Sequence, residues 1–138
     1  MRQTLTVDFD DTLFQDPAYE QGGLFIPTGM GPEPIVRVHD FIRQKSVEGF
    51  DIHIVTFRNK EHLREVKHLI GIYELPIKSV ICTEGKTKTP FLLELKSTLH
   101  IDDSVEVCIL AEQAGIPTLL VDWNQQDINS TATLLKKI

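Results

Sequence analysis

The sequence has no basic block longer than the terminal pair Lys136-Lys137, and its 14 Lys and Arg are outnumbered by 20 Asp and Glu, giving a formal charge of −6. General binding to duplex nucleic acid needs a basic footprint, so that class is disfavoured. A small anion held by one or two local cations is not. Cysteine is scarce: only Cys82 and Cys108, with no CxxC pair. This argues against a thiolate metal site or a disulfide framework and reads as free thiols buried in a reducing compartment. No apolar run approaches the roughly 20 residues of a membrane helix, so no membrane partner is expected. The chain enters a strand pattern without a charged and apolar leader, so no signal peptide is expected and the location is read as cytoplasmic. There is no internal repeat, linker or low-complexity segment. At 138 residues the chain is read as a single domain over 1–138 with one core.

What the chain does have is an alternation of short apolar runs with helical patterns. Residues 3–9 form the first strand candidate. Residues 14–34 hold four glycines and four prolines, which excludes a regular helix and is long for a loop in a compact domain. This segment is a candidate active-site flap, with Leu24-Phe25-Ile26 as a flap strand. Pro34 is expected to open a helix carrying Ile35, Val38, Phe41, Ile42 and Lys45 at helical spacing, closed by Gly49. A second strand is expected over 51–56 and a charged helix over 60–70, closed by Gly71. A third strand follows over 79–82. Thr89 reads as an N-cap and Pro90 as the first residue of a helix over 91–95. A fourth strand covers 98–101, a helix 105–114 is closed by Gly115, and a fifth strand covers 117–121. The tail from Asp127 reads as a last helix.

Strands alternating with helices imply right-handed crossovers. The expected fold is therefore an α/β, Rossmann-like three-layer domain. Its five-stranded, mostly parallel sheet has order 3-2-1-4-5. Ligands of such sheets bind at the carboxyl ends of the strands, where strand order reverses.

Two acidic doublets stand at strand ends: Val7-Asp8-Phe9-Asp10-Asp11-Thr12 and His100-Ile101-Asp102-Asp103-Ser104. Carboxylates gathered in a partly dry cleft repel one another. A hard divalent cation makes them tolerable, and Mg²⁺ is the usual occupant of an oxygen-only site shared with phosphate. The candidate metal ligands are Asp8, Asp10, Asp102 and Asp103. Asp8 and Asp10 are two residues apart and can face one side, so one can attack phosphorus while the other protonates the leaving oxygen. Thr12 can brace the turn, and Thr12 and Asp11 are candidate substrate contacts. Thr56 closes the second apolar run, where a hydroxyl and backbone N–H groups can hold phosphoryl oxygens. Lys86 or Lys88 can bring a cation to phosphate and nucleophile.

In this order the residues resemble the haloacid dehalogenase superfamily of phosphohydrolases. The family's first motif, an apolar strand and Asp-x-Asp-x-Thr, is matched by Asp8-Phe9-Asp10-Asp11-Thr12. The second, an apolar strand ending in Ser or Thr, is matched by Ile52-His53-Ile54-Val55-Thr56. The third, a Lys before a helix, is matched by Lys88 or Lys86. The fourth, a strand ending in paired acids, is matched by Leu99-His100-Ile101-Asp102-Asp103. The resemblance implies a phosphatase in which Asp8 is the nucleophile and Asp10 the general acid and then base, with its backbone carbonyl on the metal. Thr56 and a Lys would bind phosphate, with Lys88 preferred because it directly precedes the helix start. Asp103 would ligate Mg²⁺, and Asp102 would ligate it or hold the Lys. The position after Asp10 is often Gly in the family and is Asp11 here, adding charge beside the substrate. No cap fits between the motifs, so the chain resembles a minimal, capless member. Such members accept bulky substrates or borrow a cap from an oligomeric partner, which makes a homo-oligomer a candidate assembly.

Blander roles weigh against some of these residues. Asp residues also cap helices. The five histidines show no metal-ligand spacing, and His62 and His68 read as solvated. Trp123 reads as edge packing, and Arg58 is a candidate substrate contact. Three functions compete. The leading one is a Mg²⁺-dependent phosphohydrolase acting on a phosphorylated small molecule or nucleotide, with a nucleic-acid end not favoured by the acidic charge. The second is a receiver-like phospho-acceptor signalling domain, opposed by Thr56 where an isolated Asp would end a middle strand. The third is an inactive phospho-ligand binding module, opposed by intact Asp8 and Asp10.

Overall fold

The structure, a computed structural model, describes residues 2–15 and 32–137. Along the chain run β1 (Gln3–Val7), β2 (Phe14–Gln15), β3 (Glu33–Pro34), α1 (Val36–Val47), β4 (Phe50–Thr56) and a 3₁₀ turn (Lys60–His62). There follow α2 (Leu63–Ile72), β5 (Ser79–Cys82), α3 (Thr89–Glu94), β6 (Ser97–Asp102), α4 (Val105–Gln113), β7 (Thr118–Asp122), β8 (Asp127–Ser130) and α5 (Thr131–Leu135). Among the described residues the main sheet has six strands, in order β5-β4-β1-β6-β7-β8. The first five are parallel, and β8 runs antiparallel to β7. The α/β Rossmann-like class and the order 3-2-1-4-5 therefore hold, with one strand added at the edge.

The period of two along the strands sorts side chains between the faces. Leu5, Val7, Ile52, Ile54 and Ile101 share one buried cluster with Val38 and Ile42 of α1 and Val66 of α2. Val55 points the other way, into a second cluster with Leu92 of α3 and Ala111 of α4. Thr6 and His100 alternate with the first set and are also fully buried, so a polar pair crosses the middle of the sheet. Register pairs Thr6 with His100.

Four local expectations are corrected. Pro34 does not open α1: it pairs with Phe14 in the antiparallel β2–β3 ladder, and α1 starts at Val36 behind Ile35. A proline lacks the donor that an inner strand would need, and a two-residue ladder asks little of it. Gly71 lies inside α2, which ends at Ile72 with Tyr73 as its C-cap, and Glu74 then takes a positive φ of 50°. Thr89 is the first residue of α3 rather than its cap, which is Lys88. The tail opens with β8, not a helix. Asp127, Asn129 and Ser130 are poor helix formers that tolerate an edge, and Ile128 packs on the core.

The candidate flap falls mostly outside the described residues, including Tyr19, Leu24-Phe25-Ile26 and Met30. Its described ends are anchored, since Phe14 is fully buried with ring contacts to Phe9, His39 and Tyr73 at 5.4, 4.9 and 5.1 Å.

Candidate active site at the strand ends

β1, β4 and β6 are neighbours, so their carboxyl ends meet. Asp8 prolongs the β1–β6 ladder, its N–H donating to the Ile101 carbonyl at 2.9 Å. The next turn is tight: Leu13 N–H donates to the Phe9 carbonyl at 3.0 Å, and Asp11 has φ 58°. That left-handed backbone explains why glycine suits this position, and Asp is among the few side chains that tolerate it.

Lys88, the residue before α3, is 1% exposed. Its Nζ lies 2.8 Å from Asp8 and 2.7 Å from Asp102. Lys86 is exposed. On the far side, His100 Nε2 lies 2.9 Å from Asp102, and its Nδ1 lies 2.8 Å from the Thr6 hydroxyl, which reaches Ser97 at 2.8 Å. Thr12 donates to Asp103 at 3.2 Å and to Asp8 at 3.4 Å.

Burial alone would lower the Lys88 ammonium, yet Asp8 and Asp102 raise it above the ordinary lysine range. Burial would raise Asp102, but Lys88 and His100 hold it well below the usual carboxylate range. Asp8 goes the other way: burial and the Asp102 charge raise it well above that range, against the pull of Lys88. Asp103 is raised by burial, and by Asp102. One ammonium thus serves Asp8 and Asp102 with Asp103 beside them, and Asp8 and Asp103 are pushed toward holding a proton.

A divalent cation would remove that imbalance. Asp8, Asp102 and Asp103 each offer an oxygen, all within 4.8 Å of one another. The donor set is hard and all-oxygen, which fits Mg²⁺. The Asp10 carboxylate stands outside this set. Arg58 holds it in a two-pronged fork, with Nη2 at 2.7 Å from Oδ1 and Nε at 2.9 Å from Oδ2, and Nη1 reaches Glu65 at 3.3 Å. Arg58, a candidate substrate contact in the sequence, is engaged here with Asp10 and Glu65. Thr56 is fully buried, and its hydroxyl accepts from the Arg58 N–H at 3.3 Å.

Two neighbours of the site went unread in the sequence. His100 has the same signal as Asp102, lying two residues before it on one strand face. Phe57 is 40% exposed, and its ring centre lies 4.6 Å from Lys88 Nζ. An apolar residue just past a strand end carries no signal of its own.

No family model matches the chain, and no curated protein matches it. Solved structures do. A Pnkp1/Rnl/Hen1 complex contains a chain that superposes with a TM-score of 0.64 at 14% identity, over 88% of this chain and 46% of that one. The Pnkp1/Rnl/Hen1 RNA repair complex gives 0.66 at 14% identity, over 88% and 42%. The chain spans less than half the length of both, and at that identity the likeness is one of fold. The core domain of a protein of Streptococcus pneumoniae TIGR4, provisionally named a phosphoglycolate phosphatase, superposes at 0.47 with 14% identity, over 86% of this chain and 78% of that one. Among the described residues, no helix is long and apolar enough to cross a membrane.

Proposed function

We propose that this chain is a capless phosphohydrolase of haloacid dehalogenase type that cleaves a phosphomonoester through an aspartyl-phosphate on Asp8. The observation that carries the reading is Lys88, buried between Asp8 and Asp102 with Asp103 beside them. Mg²⁺ would be held by Asp8, Asp102 and Asp103 with the Asp10 carbonyl, and it would supply charge neutralisation to the phosphoryl group.

An Asp8 oxygen attacks phosphorus as the bond to the leaving oxygen breaks. Asp10 gives that oxygen a proton, then takes one from the water that cleaves the acyl phosphate, releasing inorganic phosphate and restoring Asp8. For this the Arg58 fork has to open. Arg58 is then placed to meet the substrate, in keeping with the binding role read from sequence, together with Asp11 and Thr12 at the turn. Lys88 and Thr56 bind phosphoryl oxygens, and Lys88 opposes the protonation of Asp8 that burial and Asp102 favour.

Steady Mg²⁺-dependent turnover of 4-nitrophenyl phosphate is the expected result. A beryllofluoride adduct on Asp8 is expected as well. A single stoichiometric phosphorylation without turnover would instead support a receiver-like domain, and neither event would support a binding module. The RNA repair complex among the solved neighbours makes 3′-phosphorylated oligonucleotides a fair arm of the substrate screen. The −6 charge favours small esters.

A further inference from the structure

A cavity of about 200 Å³ opens beside Lys88, lined by Phe57, Thr87, Glu106, Val107 and Leu110. We infer that it receives the flat ring of a nucleoside monophosphate whose phosphate sits against Asp8 and Lys88. The inference rests on the phosphohydrolase reading and names its substrate class.

Three observations point there. Phe57 is 40% exposed although its ring stands 4.6 Å from the ammonium that touches Asp8. A partly exposed aromatic ring next to a phosphate site can stack on a base. The volume is below the roughly 300 Å³ of a pocket that encloses a whole small ligand, so it suits one part of a substrate anchored elsewhere. The polar groups are selective too. Thr87 and Glu106 offer a hydroxyl and a carboxylate to ring N–H or ribose O–H groups. Among the lining residues Lys88 is the cation, and two acids already share it. Glu106 adds a negative charge. Within this cavity a second or third phosphate would meet no cation besides Lys88, so the monophosphate is the form that fits.

A second cavity, of about 420 Å³, adjoins Asp103 and contains Trp123, but Asp103, Asp122 and Asp127 line it. Its charge suits a phosphate ester less well.

The test is Mg²⁺-dependent kinetics with uridine 5′-monophosphate, its diphosphate and glycerol 3-phosphate. Wild type, Phe57→Ala, Phe57→Leu and Trp123→Ala are compared. Wild type is expected to favour the nucleoside monophosphate over both others in kcat/KM. Phe57→Ala should cut that preference about tenfold, mostly through KM, as one lost base–aromatic stack would. Phe57→Leu should restore only part of it. Equal losses on every ester mean that Phe57 merely shields Lys88, and overturn the inference. A preference lost in Trp123→Ala instead overturns it too. If wild type turns over no ester, the phosphohydrolase reading fails by itself. Uridine binding, read by NMR line broadening, then decides the pocket: loss in Phe57→Ala supports it, and no binding to wild type overturns it.

Discussion

Two ion clusters leave the same turn after β1 and are built on different terms. Asp10 meets Arg58, whose flat guanidinium matches both carboxylate oxygens and whose face lies over the Phe9 ring at 5.1 Å. Asp10 and Glu65 are 22% and 56% exposed, so water shares the charge. Asp8 meets Lys88, a point charge in a nearly dry place, and must share it with Asp102 while Asp103 stands close by. A fork suits one acid in fixed geometry, whereas a compact ammonium can be shared. The first cluster is close to satisfied by its own residues. The second carries surplus negative charge, and a site in that condition has a use for a metal and for chemistry at phosphorus.

The largest expected effect falls on that surplus. Asp8→Asn should lower turnover by at least ~10³-fold, as loss of an attacking group does. Its charged form is disfavoured by burial and by Asp102, so the melting temperature in EDTA should not fall. Activity within tenfold of wild type would remove Asp8 as nucleophile.

Next comes Lys88→Met. It strands Asp8 and Asp102 in the dry cluster, and breaking a buried pair from one side costs about 3–5 kcal/mol. Urea unfolding should show that loss in EDTA, with Mg²⁺ recovering part of it. A loss under about 1 kcal/mol would mean that water reaches the cluster. Wild type itself should gain from metal. At a Mg²⁺ concentration of about 100 Kd the gain is about 2.7 kcal/mol, and equal melting temperatures with EDTA and with Mg²⁺ would argue against a shared carboxylate site.

Arg58→Met should cost less, about 1–2 kcal/mol, within the usual range for single substitutions. Asp10 and Glu65 can rehydrate, while Asp8 and Asp102 cannot. A larger cost than that of Lys88→Met would reverse the contrast between the clusters.

The contrast was only half legible in the sequence. Apolar runs that stop at Asp8, Thr56 and Asp102 set the strand order, because βαβ crossovers bring successive strand ends to one edge. The grouping of Asp8 with the Asp102-Asp103 pair follows from that edge, whereas the strand pattern alone did not separate Lys88 from Lys86. The Arg58 fork did not follow, since its partner lies 48 residues away and no local spacing records such a pair. The His100 and Thr6 pair was readable from the period of two, yet buried polar residues inside a strand are easily taken for packing. β8 was missed because an edge strand is decided by an open neighbour, β7, more than by its own propensity.

The smallest effect lies outside both clusters, at His39 of α1. The ring is 2% exposed, packs edge-on to Phe14, and has Nε2 2.8 Å from the Leu13 carbonyl oxygen. The carbonyl can only accept, so Nε2 carries the hydrogen. Burial lowers the pKa of His39 from its ordinary 6.5, with the Leu13 bond opposing in part. The unfolded chain takes up a proton near pH 6.5, and the folded chain resists until lower pH. Between those values the unfolded state binds more protons, so stability falls as pH drops and is level above about 6.5. Burial lowers His53 and His100 in the same direction. Asp8 and Asp103 also titrate, so the useful quantity is the difference between wild type and His39→Gln, in which both acids remain. The glutamine amide can still donate to Leu13 and cannot gain a proton. Its stability should therefore change less between pH 7 and 5 than that of wild type, and parallel curves would show that His39 charges as easily folded as unfolded.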